Sequence, residues 1–213
     1  MKIDRPIRYS EHIMNTDTLN ILADAISDVG SWHRWLIRDD MVQVQFCDIM
    51  LYDENTLENE PHSTDVLAIR FSGNAFAVFL DDLKEEKWYE RLREEDSVIY
   101  PIDTYNMAFD DRKEAERLLN AYQHKTAIKD FAGPKTLSAA KHLLYADCDG
   151  VGFIVGGDEM EVVGRKGKYT EAEIETACGK WCDYWKAYWK HRGTKDAYPK
   201  DYVCEISIPV RAE

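Results

Sequence analysis

The chain lacks any run approaching the ~18 consecutive apolar residues of a membrane-spanning helix. Its opening stretch, MKIDRPIRYSEH, carries charge where a secretory signal would be apolar. A cytoplasmic protein is the expectation. The five cysteines, Cys47, Cys148, Cys178, Cys182 and Cys204, are odd in number and have no framework spacing, which fits reduced thiols better than a disulfide scaffold. Positive charge is scarce as well: 27 Lys and Arg stand against 40 Asp and Glu, a net charge of −13. Affinity for duplex DNA or RNA comes largely from neutralising phosphates, so direct nucleic-acid binding is not expected. The same sign argues against an anionic membrane surface.

Signatures of catalysis are missing too. There is no GxxxxGK[ST] loop, no GxGxxG after a strand, no GxSxG elbow and no HExxH helix. The histidines His12, His33, His62, His124, His142 and His191 are scattered, with none paired at ligand spacing. Cys178 and Cys182 lie one helical turn apart, but the chain supplies no second pair to complete a tetrahedral site. Neither a metal nor a cofactor is expected.

What is present is the composition of a folded protein, 213 residues with 45% hydrophobic and 31% charged side chains. Its charge is unevenly spread. Residues 1–133 hold 15 basic and 27 acidic side chains, a balance of −12, whereas 134–213 hold 12 and 13, a balance of −1. That asymmetry and the break at Ala132-Gly133-Pro134 outline two sub-lobes, 1–133 and 134–213. A single compact domain over 1–213 is the favoured reading.

Local patterns set the expected elements. Leu19, Leu22, Ala23 and Ile26 share one face of a helix from Asn15 to Gly30. Trp35–Ile37 and Met41–Tyr52 read as strands around the turn Arg38-Asp39-Asp40, with Val42, Val44 and Phe46 alternating with Gln43 and Gln45 as in a half-buried strand. Val66–Phe71 and Ala75–Leu80 are expected to form a hairpin turned at Ser72-Gly73-Asn74, whose residues tolerate positive φ. Asp81-Asp82 should cap a charged helix carrying Trp88, Tyr89 and Leu92, before a short strand at Ser97–Ile102. Asp110-Asp111 should open a helix striped by Ala115, Leu118, Leu119 and Tyr122. A helix over about 135–146, a hairpin of Gly152–Val155 with Met160–Val163 turned at Gly156-Gly157-Asp158, and a last strand at Tyr202–Val210 complete the reading.

The longest expected helix runs from Thr170 to Gly193. Ile174, Ala177, Cys178, Trp181, Trp185, Tyr188 and Trp189 fall on one face, and Lys180, Asp183, Lys186 and Lys190 on the other. Thr170 with Glu173 forms a capping box. So clean a division into faces fits a helix covering a sheet better than an aromatic stacking platform. The expected class is therefore α+β, a mainly antiparallel sheet covered by several helices, this long Trp-rich one among them near the C-terminus. A doubly wound parallel sheet is the alternative.

Three short patterns invite functional readings. Asp147, Asp149, Gly152 and Asp158 match positions 1, 3, 6 and 12 of a calcium-binding EF-hand loop. Position 5 is Val151, however, and position 12 is a short Asp. Gly156-Gly157-Asp158-Glu159 resembles the first four residues of the GGDEF signature of diguanylate cyclases, yet Met160 replaces the phenylalanine and the upstream FKxxND stretch is missing, so no family membership follows. Arg165-Lys166-Gly167-Lys168 is the one basic cluster, which reads as a solvated turn or as an anion site beside the helix that follows.

Charge therefore supplies the leading functional reading: a non-enzymatic, acidic protein-binding module docking on a basic partner. In charge and size it is similar to toxin-neutralising immunity proteins and DNA-mimicking inhibitors. The expected docking residues are Asp53, Glu54, Glu58, Glu60 and Asp65, with the acidic run Glu85–Asp96 as a second segment for steering. The competing reading is a small-molecule-binding protein or enzyme whose pocket is lined by Asp147, Asp149, Asp158 and Glu159.

Overall fold

The computed structural model describes residues 15–27, 32–49, 65–82, 97–101, 106–148, 150–164 and 167–176. In chain order these form α1 (Thr16–Ser27), β1 (Trp32–Arg38), β2 (Met41–Ile49), β3 (Asp65–Ser72), β4 (Phe76–Asp81), β5 (Ser97–Pro101), β6 (Asn106–Phe109), α2 (Arg112–Ala121), β7 (His124–Ile128), α3 (Pro134–Ala139), β8 (His142–Cys148), β9 (Val151–Gly157), β10 (Glu159–Gly164) and β11 (Gly167–Lys168). Residues 171–176 are helical, α4. Every strand pairing is antiparallel, as tight turns between short strands require. The class is α+β.

The strands divide into two sheets, ordered β11-β10-β3-β2-β1-β5 and β6-β8-β9-β4-β7. This division corrects two expected hairpins. β3 pairs with β2 and β10, while β4 pairs with β7 and β9, so Ser72-Gly73-Asn74 carries the chain from one sheet to the other. Gly156-Gly157-Asp158 does the same between β9 and β10. The two crossings lie side by side, because β3 pairs with β10 on one side of the bend and β4 with β9 on the other.

From Ser72 to Phe76 the chain takes four steps, against three from Gly156 to Glu159. The extra residue makes a bulge, the usual means by which a strand turns a corner between packed sheets. Gly73 and Asn74 absorb it at φ of 63° and 50°. The Asp158 N–H donates to the Ser72 and Gly73 carbonyls, at 3.0 and 2.7 Å, and the Asn74 amide donates to Asp158 Oδ2 at 2.6 Å.

Two cores follow from this layering. Trp35, Val44, Ile69 and Phe71 of the first sheet meet Ala77, Phe79, Leu144, Phe153 and Val155 of the second, joined by Leu19, Leu22 and Ile26 of α1. Trp35 makes T-shaped contacts with Phe79 and Phe153, each with centroids 4.8 Å apart. On the other face of the second sheet, Phe76, Val78, Leu80, Leu143, Tyr145 and Ile154 are covered by α2 and α3 through Ala115, Leu118, Leu119, Tyr122, Leu137 and Ala140. β4 and β9 are consequently buried on both faces. Gln43 and Gln45 are buried as well, which corrects the half-buried reading of β2; Gln43 accepts from the Arg70 guanidinium at 3.1 and 3.2 Å.

Several local expectations hold. α1 buries Leu19, Leu22, Ala23 and Ile26, and Asp39-Asp40 turns β1 into β2. Asp111 caps α2 by accepting from the Glu114 N–H at 3.0 Å. Glu173 and Thr170 exchange backbone and side-chain hydrogen bonds at 2.9 and 3.3 Å, the expected capping box. The helix expected over 135–146 instead stops at Ala139, and β8 begins at His142. The run Leu143-Leu144-Tyr145-Ala146 places alternate residues in the two cores, which an extended strand allows and a helix does not. Trp181, Trp185 and the other residues expected to continue a long helix, the helix expected to carry Trp88 and the strand expected at Tyr202–Val210 all fall outside the described residues.

Candidate tyrosine–carboxylate site

Among the described residues, displaced ionisation gathers in one place, where α2 lies over β8. Residues two apart on a strand point to the same face, so Tyr145 and Asp147 both face the layer that α2 covers. Tyr122, at the C-terminal cap of α2, donates its hydroxyl to Asp147 Oδ1 in a very short contact and lies 3.2 Å from the Val151 carbonyl. Asp82 Oδ1 accepts from the next backbone N–H, that of Gln123, at 2.6 Å, and the Asp82 N–H donates to Gly150 at 2.8 Å. The β8–β9 turn is thereby tied to the end of α2.

Burial raises the Tyr122 hydroxyl pKa far above its ordinary value, and the bond to Asp147 adds to the effect because ionisation would set two anions against each other. Tyr145, only 4% exposed, is pushed up to about 12, first by burial and then by the charges of Asp111 and Glu114. At the other end of the helix the Arg117 guanidinium grips both oxygens of Glu114 at 2.6–2.8 Å, holding that carboxyl below its ordinary range. The same bond raises Arg117.

Of the carboxylates expected to share a pocket, only Asp147 belongs to this group. Asp158 and Glu159 sit at the opposite end of β9, where Asp158 holds the corner and Glu159 accepts from the Ser72 hydroxyl at 3.2 Å. Gly152 faces Asp147 across the β8–β9 pair, and six residue steps along the extended chain, about 20 Å, separate it from Asp158. That separation precludes a calcium loop spanning Asp147 to Asp158. Asp149 lies outside the described residues.

So do Asp53, Glu54, Glu58, Glu60 and the run Glu85–Asp96. Asp65 is placed only by its backbone, opposite Ile49 at the start of β3. From the basic cluster, Lys168 bonds to Glu161 at 3.0 Å. Among the described residues no three His, Cys, Asp or Glu side chains are disposed to hold a metal ion, and no helix is long and apolar enough to cross a membrane.

Sequence reasoning placed Tyr122 in the stripe of α2 and Asp111 at its cap, but it did not join them to Tyr145, Glu114 or Arg117. The available signal was the spacing of Tyr145 and Asp147 on one strand face. It was obscured by the helix expected there. No protein-family model, curated protein or solved structure matches the chain.

Proposed function

We propose that the chain is an acidic, non-enzymatic, cytoplasmic binding module that docks on a basic partner protein. The observation that carries this reading is the charge, −13 overall with −12 on residues 1–133. A surface of one sign steers an oppositely charged protein into contact and repels nucleic acid. The tyrosine–carboxylate site is consistent with it. Glu114 is engaged by Arg117 one turn along α2, and Asp147 by Tyr122 in a bond that ties the end of α2 to β8. Asp53, Glu54, Glu58, Glu60 and Asp65 are proposed as steering charges on the rim of the interface.

The test is capture of partners by the full chain, followed by association kinetics on each at increasing salt. Docking through an acidic face predicts basic partners and an on-rate that falls steeply as screening shortens the field to about 8 Å at physiological ionic strength. Replacing Asp53, Glu54, Glu58 and Glu60 by their amides should lower the on-rate more than it raises the off-rate. Recovery of acidic or nucleic-acid partners alone, or binding indifferent to salt and to the amides, refutes the proposal and favours the small-molecule alternative.

A further inference from the structure

A sheet that does not close leaves an edge strand on each side, with a row of backbone N–H and C=O groups facing outward. In the first sheet β11 is two residues long and β5 ends in Pro101, and in the second β6 lies against α1. β7 has no such cover. It pairs with β4 on one side and with no other strand among the described residues, and His124, Lys125 and Ala127 are exposed. Its neighbour β4 is buried along its whole length, so the edge belongs to a sheet that both cores hold in place.

The two faces of β7 differ, because residues two apart on a strand share a face. Ile128 packs beside the first core, and Thr126 is half-buried on the same side. On the other side stand Lys125 and Ala127, and Lys129 follows directly as the strand ends at φ of 62°. Neither lysine is in an ion pair among the described residues. They belong to a basic layer: residues 112–141, from α2 through α3, hold seven Lys and Arg against three Asp and Glu, a balance of +4 in a chain of −13.

That sign decides what the edge can accept. Two β7 strands paired antiparallel about Ala127 would bring each Lys125 to a Lys129, and like charges directly opposed destabilise a strand pair. Lysines on an edge thus guard it against a second copy of the chain, yet leave its hydrogen bonds open to a strand of opposite charge. We propose that β7 takes up an extended acidic segment of a partner protein by antiparallel strand addition, as a sixth strand beside the five of the second sheet. Carboxylates on alternate residues of the segment meet Lys125 and Lys129, and apolar residues between them continue the first core past Ile128. Backbone hydrogen bonds supply the affinity and the lysines select the sign. The site is separate from the acidic docking residues and does not depend on them.

The experiment follows a fluorescent peptide of alternating glutamate and valine binding to the full chain by anisotropy, beside a lysine–valine peptide of the same length. Two further glutamate–valine peptides are N-methylated, one on every glutamate and one on every valine. Successive N–H groups of a strand point to opposite edges, so only one of these sets faces β7. The acidic peptide should bind, one methylated set should lose binding while the other keeps it, and amide exchange along β7 should slow in the complex. Lys125→Glu combined with Lys129→Glu should weaken the acidic peptide roughly tenfold and strengthen the basic one. The thermal midpoint of that variant should stay near wild type, since neither lysine gives up an ion pair. A chain that ignores the acidic peptide, or takes the basic one equally well, overturns the proposal. Binding that survives both methylated sets shows charge attraction without strand addition and overturns it too. So does concentration-dependent protection of the β7 amides without any peptide, which assigns the edge to a second copy.

Discussion

Phe153 and Ile154 are neighbours on β9, and both are fully buried, one in each core. In a sheet with one wet face, truncating one of two adjacent residues is costly and truncating the other is not. Here both should be costly. Phe153→Ala removes a ring from between the sheets and with it the T-shaped contact to Trp35. The expected loss is about 3–5 kcal/mol, of which the aromatic pairing accounts for about 0.5–1.5. Ile154→Ala opens a void beneath α2 and α3, at a cost of about 2–5 kcal/mol. In a chain of this length each kcal/mol lowers the thermal midpoint by roughly 2–4 °C, so both variants should melt at least ~4 °C early. Urea unfolding followed by tryptophan fluorescence and circular dichroism measures the losses directly, provided the slope with denaturant stays constant. An Ile154→Ala loss below about 1 kcal/mol would refute a covering layer of α2 and α3 over the second sheet.

Other expectations concern the corner, the helix cap, the phenols and calcium. Gly156→Ala should destabilise by about 1–3 kcal/mol as an overpacked site, because a Cβ there would lie 2.7 Å from the His142 carbonyl oxygen and 2.9 Å from the Phe76 ring; equilibrium unfolding checks it. Asp111→Ala should cost about 1 kcal/mol through loss of the α2 cap, by the same measurement. Because the folded-state pKa values of Tyr122 and Tyr145 lie above the ordinary 10, their contribution to stability is complete below pH 10 and is lost as pH rises through that window towards about 12. Melting at pH 9 and 11.5, with ultraviolet titration of the phenols, should show two late-ionising tyrosines and a steep alkaline loss. Millimolar calcium should leave the melting curve unchanged, and a rise would mean that Asp147 finds ligands other than Asp158.

What the sequence determined by itself is the set of features whose physics is local. The stripe of α1, the Asp111 cap, the Thr170–Glu173 capping box and the turn at Asp39-Asp40 each depend on residues within a few positions of one another, so spacing and side-chain type were enough. Tertiary structure decided the rest. Ser72-Gly73-Asn74 supplies the same positive-φ chemistry to a hairpin as to a corner between sheets, and only the pairing of β3–β4 with β9–β10 made it a corner. Leu143 to Ala146 is apolar throughout, a pattern that a buried helix and a two-faced strand share; burial between two cores selected the strand. Asp147 was legible as a candidate, but its nearness to Tyr122, and that of Tyr145 to Asp111 and Glu114, joins positions about 25 to 35 residues apart through the packing of α2 on β8. That proximity belongs to the packed layers and to no stretch of the chain.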